Sequence, residues 1–318
     1  MPKIGGECRM QKNKVIIVAG PTASGKSAMA IDIALAVNGV VINADSMQVY
    51  KNMPIITAAP QAEDKQKVEH RLFEIFEPSF RGNVADWVKL AAREIRNVWA
   101  EGKLPVVVGG TGLYIENLMQ GTTPIPEIKD EIRQKVQNMI EKEGAPAVHE
   151  KLKDVDPVSF QKLNINDSSR IKRAYEVYLS TKKPLSTWQK EPRVHYLPEA
   201  EFFVIKLCPQ TKVLDALSFA RFDKMLAQGA LKEVEHLYQQ KLDETLPAMK
   251  ALGVPELAAY CNGEVDMQTA IQNAKLHTRQ YAKRQRTWFN NRLKADYILD
   301  KCYKTPLPND LFMLLKAQ

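Results

Sequence analysis

No run of eighteen apolar residues occurs in this chain, so no helix is expected to cross a membrane. Cysteine is scarce. Cys8, Cys208, Cys261 and Cys302 stand far apart, and no C-x-x-C pair is present. That spacing argues against a zinc knuckle and against a disulfide framework, and it fits a reducing cytoplasm. The first thirteen residues lack both the apolar stretch of a secretory signal and the Arg-rich amphipathic character of a mitochondrial presequence. Internal repeats and low-complexity tracts are also missing.

What is present suits a globular protein of more than one part. Its 318 residues are 45% hydrophobic, ample for a buried core, and the length predicts two domains. The net charge of +8 fits a polyanionic partner, but many enzymes are mildly basic, so the placement of the charge matters more than its sum.

One stretch organises the rest. Gly20-Pro21-Thr22-Ala23-Ser24-Gly25-Lys26-Ser27 fits the phosphate-loop pattern G-x-x-x-x-G-K-[ST] at every fixed position. Lys14–Ala19 before it is apolar and β-branched, as a buried parallel strand should be, and Ala28–Val37 after it suits a helix. Between strand and helix, the backbone N–H groups and the helix dipole converge on phosphate oxygens. Lys26 would reach the terminal phosphates, and the Ser27 hydroxyl would meet Mg²⁺.

Further on, Val40–Asn43 reads as a second strand that delivers Asp45 to the same edge of the sheet. Met47–Pro60 reads as a loop over that edge. Leu72–Phe76 is a predicted strand, and Asp86 a predicted cap for the helix that Gly102 ends. Leu104–Val108 is another strand, followed by Gly109-Gly110-Thr111-Gly112. This alternation predicts an α/β fold, a P-loop NTPase-like parallel sheet with helices on both faces. It stops near residue 121. Residues 122–198 show polar helical patterns at Lys129–Lys142, Ala145–Lys153 and Arg170–Thr181, and read as an inserted all-helical domain. The core, 1–121, resumes over 199–318 with strands at Phe202–Leu207 and Tyr297–Leu299 and helices at Lys212–Gln228, Leu231–Gln240 and Gln268–Ala295.

Charge gathers late. Seven Lys or Arg and no acid lie between Lys275 and Lys294, with Lys275, Arg279, Lys283 and Arg286 on one helical face. Such a run is usually a solvated face, but twenty residues without an acid shift the reading toward a phosphate or polyanion site. Arg170, Lys172 and Arg173 form a second cluster, in the insert. Two clusters beside a phosphate loop suit a substrate the size of RNA.

Three boxes carry a family likeness: the phosphate loop, Asp45-Ser46-Met47-Gln48-Val49-Tyr50, and Gly109-Gly110-Thr111-Gly112-Leu113-Tyr114. Matches continue at Asn166-Asp167, Arg170, Arg173-Ala174, Arg221-Phe222, Met225-Leu226 and Arg279 to Gln285 with Thr287-Trp288. Together, in order and spacing from about residue 14 to residue 290, they resemble the tRNA dimethylallyltransferases, or isopentenyl-diphosphate:tRNA transferases. The resemblance implies that the loop, Gly20 to Ser27, holds the diphosphate of dimethylallyl diphosphate, and that the prenyl group passes to the exocyclic N6 amine of the adenosine 3′ of a tRNA anticodon. It implies Asp45 as general base, Lys26 and Arg221 on the leaving diphosphate, Mg²⁺ at Ser27, and Thr111 near the target base. It also implies tRNA contacts from Asp45, Ser46, Met47, Gln48, Thr111 and from Ser169, Arg170, Ile171, Lys172 and Arg173. By residue type alone, Asp45 could equally serve Mg²⁺ in an outer shell, and Thr111 could be a turn hydroxyl.

Some positions depart from the family pattern. Its usual Ile-Gly-Thr-Ala-Lys-Pro is here Ile55-Ile56-Thr57-Ala58-Ala59-Pro60, and its Gly-Tyr-Lys-Glu is Gly253-Val254-Pro255-Glu256. A Gln that often precedes the basic insert motif is Ser169, and nothing after Trp288 pairs Cys with His as the zinc finger of eukaryotic relatives does. The expectation is a cytoplasmic, monomeric enzyme with tRNA and dimethylallyl diphosphate as partners and no membrane. A small-molecule kinase shares the loop, the metal and the fold. An adenylate isopentenyltransferase would need no RNA-binding lobe.

Overall fold

Successive strand residues of this protein point to opposite faces of one sheet, and both faces are apolar, so helices must cover both. The computed structural model describes residues 13–317. The expectations for the leader and for Cys8 lie outside them. The other three cysteines are free thiols.

The chain folds as two compact units. The first, up to Met119 and from Tyr196 onward, holds a six-stranded parallel sheet, among the described residues, of order β3-β2-β4-β1-β5-β6. The strands are β1 Lys14–Ala19, β2 Gly39–Asn43, β3 His70–Arg71, β4 Leu104–Gly109, β5 Glu201–Leu207 and β6 Tyr297–Leu299. β1 pairs with β4 on one side and β5 on the other, so the winding reverses at β1, where an open α/β sheet leaves a crevice at its carboxyl edge. Ile16 and Val18 face a cluster with Met29, Ile33, Leu311 and Leu315, whereas Val15, Ile17 and Ala19 face the larger cluster with Trp87, Ile95, Phe222 and Phe289.

The helices of this unit before the insert are α1 Lys26–Val37, α2 Pro54–Thr57, α3 Ala62–Lys67, α4 Val84–Ala100 and α5 Gly112–Gln120. The second unit, residues 120–195, is built from α6 Asp130–Val155, α7 Pro157–Lys162, α8 Ser168–Thr181 and α9 Leu185–Trp188. Its own core is Val136, Val148, Leu152, Ile171 and Ala174. The two helices expected before residue 154 form one element that turns sharply at Gly144, whose φ of 81° breaks the helical path. Back in the first unit come α10 Thr211–Gln228, α11 Ala230–Gln239, α12 Val254–Cys261, α13 Met267–Arg292 and α14 Asn309–Ala317.

Three local expectations need correction. Leu72–Phe76 is not a strand: Leu72 and Glu74 take φ of 63° and 52°, which breaks extended pairing. Only the two residues of β3 and an isolated bridge from Tyr50 to Phe76 remain. The cap of α4 is Asn83, whose side chain accepts from the Asp86 amide, rather than Asp86 itself. The stretch Met47–Pro60 is not wholly irregular. Pro54 starts the single turn of α2, and the Glu233 carboxylate accepts from the amides of Ile55 and Ile56 at 2.9–3.0 Å.

Candidate active site

The phosphate loop leaves β1 at the winding reversal and enters α1, with Gly25 at φ 87° as the N-cap. Two side chains from distant helices fasten it. Gln285 of α13 accepts from the Thr22 amide at 2.9 Å through Oε1 and donates to the Gly110 carbonyl at 2.8 Å through Nε2. Arg221 of α10 donates to the Thr22 hydroxyl. Ser24 Oγ is buried with no partner, which leaves a hydroxyl available inside the loop. Ser27 is exposed.

Asp45 is set by the end of β2. Fully buried Asn43 accepts from the Asp45 amide at 2.7 Å and donates to the carbonyls of Asp45 and Leu72, while the Trp87 indole donates to the Asn43 carbonyl. Asp45 Oδ1 then accepts from the Met47 amide at 3.0 Å. Asp45 Oδ2 faces the neighbouring glycine loop. It lies 3.5 Å from where a Gly110 Cβ would be. Gly109 has to be glycine here, since a Cβ would sit 2.0 Å from the Ala44 carbonyl oxygen, whereas one on Gly110 would sit 2.3 Å from Gln285 Nε2 and displace that side chain. Thr111 Oγ1 accepts from the Ser46 amide at 2.9 Å and bonds to the Ser46 hydroxyl.

Thr22, Asp45, Ser46, Arg221 and Gln285 share one cavity of about 330 Å³. Thr22, Asp45, Ser46, Arg221, Tyr281 and Gln285 give it a polar wall, and Met47, Ile56, Phe222, Met225 and Leu252 an apolar one. Its charges feel one another. Burial pulls the Lys26 pKa down to about 8, Asp45 opposes that fall, and Arg221 adds to it. Burial lowers the Arg221 pKa too, again against Asp45. Arg221, Lys250 and Arg284 line the cavity against the single carboxylate of Asp45, with Lys26 close by, and this excess of positive charge suits an anion of more than one charge. Burial and the adjacent Asp45 raise the Tyr281 phenol well above its ordinary value, with Thr111 and Gln285 pulling the other way.

Tyr281 and Gln285 were not among the expected site residues. Both lie in the basic run, where charge drew the reading, and their spacing of four was the available signal. The run itself is less free than it looks. Lys275 pairs with Asp223 at 2.6 Å and Arg279 with Asp215 at 3.0 Å, the missing acids coming from α10. Gln48 lies beside the site, but its amide donates to the carbonyls of Thr57 and Ala58 at 2.9 and 2.8 Å, so its NH₂ group holds α2.

In the second unit, Ser169 and Arg170 are exposed on α8. Arg170 pairs with Asp167, and Lys172 donates to Gln137 at 2.6 Å. Burial lowers the half-buried Arg173, Glu176 opposes it, and Arg133 reinforces it. Ile171 is a correction. Its side chain is fully buried in the core of this unit and offers no surface for RNA.

The sequence profile described as IPP transferase matches residues 48–292. The chain belongs to the IPP transferase family. A relative from Zymomonas mobilis named tRNA dimethylallyltransferase is 42% identical over 288 residues, which is 91% of each chain. Among solved structures of the family, a full-length tRNA isopentenylpyrophosphate transferase from Bacillus halodurans is 30% identical, with a TM-score of 0.67 and coverage of 96% and 95%. A eukaryotic dimethylallyltransferase, solved acting on tRNA, is 29% identical with a TM-score of 0.74, covering 91% of this chain and 74% of its own.

Proposed function

We propose that this protein transfers a dimethylallyl group from dimethylallyl diphosphate to the N6 amine of the adenosine 3′ of a tRNA anticodon, releasing diphosphate, as a monomer in the cytoplasm. The observation that carries this reading is one cavity in which Arg221 and Asp45 meet an apolar wall, with Lys26 of the phosphate loop near enough to feel both charges. A diphosphate with a short hydrocarbon tail matches both walls. No helix among the described residues is long and apolar enough to cross a membrane, and the donor's tail is met by the cavity.

The loop amides, Lys26 and Arg221 hold the diphosphate and meet the charge that grows on it as it leaves. Preorganised donors aimed at developing charge are worth more in a shielded site than in water. The adenine amine attacks the allylic carbon, the carbon–oxygen bond breaks, and its electron pair departs with the diphosphate. Asp45 Oδ2 takes the amine proton, because Oδ1 is engaged by Met47. Thr111 and Ser46 lie beside that carboxylate and hydrogen-bond to each other, within reach of a base turned out of the anticodon loop. The exposed Arg170 of α8 binds RNA phosphate.

Mg²⁺ fits this site in one mode only. No cluster of three or more His, Cys, Asp or Glu among the described residues could hold a metal. The exposed Ser27 hydroxyl and bound phosphates suit a magnesium ion carried mainly by substrate oxygens and water. When bound there, the ion would neutralise diphosphate charge.

Incubation with labelled dimethylallyl diphosphate and total tRNA tests the reading, with ATP and AMP as alternative acceptors. Label in tRNA is expected. Label in ATP or AMP alone would overturn it in favour of an adenylate isopentenyltransferase.

A further inference from the structure

Resting on the prenyl-transfer reading, we propose that Ile56 closes the apolar end of the cavity and sets the length of the prenyl chain that the donor can carry. The argument begins with where the walls meet. Arg221 and Gln285 both bind Thr22, so their side of the cavity is the diphosphate side. Phe222 follows Arg221 on α10, and Met225 lies one turn further. Ile56, only 5% exposed, lines the same apolar end.

Gly253 shows how tightly that end is filled. Its φ is 92°, and a Cβ added there would lie 2.8 Å from Ile56 Cδ1 and 3.0 Å from Phe222 Cε2. Ile56 and Phe222 therefore pack against the same spot beside Gly253 and leave no room there for a side chain. Met225 could adapt, since an unbranched thioether is flexible, but a β-branched Ile in a helical turn is stiff. Its backbone is also fixed. Glu233 holds the amides of Ile55 and Ile56, and Gln48 holds the carbonyls of Thr57 and Ala58. The wall is thus rigid where the tail of the donor ends.

An isoprene unit is close in size to an isoleucine side chain. A donor one unit longer would need the space that Ile56 now fills. The pattern of the family has Gly at this position and Tyr where Val254 stands. Val254 is buried in the same core cluster as Ile56 but does not line the cavity, so Ile56 is the one of the two that meets its space.

The test compares dimethylallyl diphosphate with geranyl diphosphate on the full-length wild type, Ile56→Ala and Ile56→Phe. Binding is read by calorimetry and transfer to tRNA by kcat/KM. A methylene misfit in an apolar pocket discriminates by about ten- to two-hundredfold, so Ile56→Ala is expected to raise the geranyl-to-dimethylallyl ratio by at least about tenfold. Ile56→Phe is expected to raise the KM for dimethylallyl diphosphate. A folded Ile56→Ala protein, judged by circular dichroism and melting, whose ratio stays at the wild-type value would overturn the proposal. Ile56→Val, with the same direction and a smaller effect, replaces it if the Ala variant does not fold. Binding of the donors without transfer to tRNA in the wild type would instead overturn the functional reading, and the binding ratio would still decide the role of Ile56.

Discussion

Gln285 and Thr22 are 263 residues apart in sequence, and the hydrogen bond between them, 2.9 Å from the Thr22 amide to Gln285 Oε1, ties the basic helix to the phosphate loop. The same side chain reaches Gly110 on the other loop of the site. It is 6% exposed, so both bonds are made out of water. One amide therefore sets the distance between the diphosphate cradle and the loop that carries Thr111.

Gln285→Ala leaves a buried amide and a buried carbonyl without partners. Each orphan costs about 1–3 kcal/mol. The expected result is a lower denaturant midpoint together with a raised KM for the diphosphate donor. A variant with normal stability and normal KM would show that the bridge positions nothing.

Lys26 makes the site sensitive to pH. With its pKa near 8 in the free protein, it carries its charge below that pH and loses it above. A bound diphosphate favours the charged form, so affinity for diphosphate should fall as pH rises past 8, by up to about tenfold per unit, with proton uptake on binding. Calorimetry in buffers of different ionisation heat reads both. The stability sign is opposite. The ordinary value in an unfolded chain is 10.5, so between 8 and 10.5 the unfolded state binds more protons, and stability should rise with pH across that window. Lys26→Met removes the buried charge. It should melt no lower than wild type at neutral pH while transfer falls by about 10²–10³-fold, the loss typical of one preorganised donor.

The phosphate loop, the Asp45 turn and the glycine box were legible because each is local chemistry, a short string of residues that dictates its own backbone. The strands were legible for the same reason, except at Leu72–Phe76, where left-handed residues hide inside an apolar run. Cross-element relationships were not. The run from Lys275 to Lys294 has no acid of its own, yet Asp215 and Asp223 reach it from α10. Gln285 and Tyr281 gain their meaning only from what α13 packs against. Arg221 came through family likeness, and the structure supplies the physical reason, a guanidinium joined to the Thr22 hydroxyl beside Asp45.

Asp45→Asn separates the proton acceptor from the architecture. The Asn oxygen can still accept from the Met47 amide, so the turn should persist. Loss of a general base should lower kcat by about 10²–10⁴-fold, read in single turnover. Because Asp45 opposes the fall in the Lys26 pKa, the pH at which diphosphate affinity begins to drop should also move down. A wild-type rate in Asp45→Asn would mean that another group takes the proton.

Arg170 and Ile171 are neighbours on α8 that should behave in opposite ways. Arg170 has 75% of its side chain exposed and holds only a surface pair with Asp167, a kind of contact that adds little to stability. Arg170→Ala should leave the melting temperature unchanged, weaken tRNA binding across all sequences, and lower the salt slope of binding by about one. Ile171 is fully buried among Val136, Val148 and Leu152. Ile171→Ala should cost about 2–5 kcal/mol of stability in this unit, as a large-to-small change in a core does. Its effect on tRNA binding should then follow the fraction folded and disappear at lower temperature. If Ile171→Ala instead weakened tRNA binding at full stability, the residue would be a contact after all, and the surface that α8 offers to RNA would have to be redrawn.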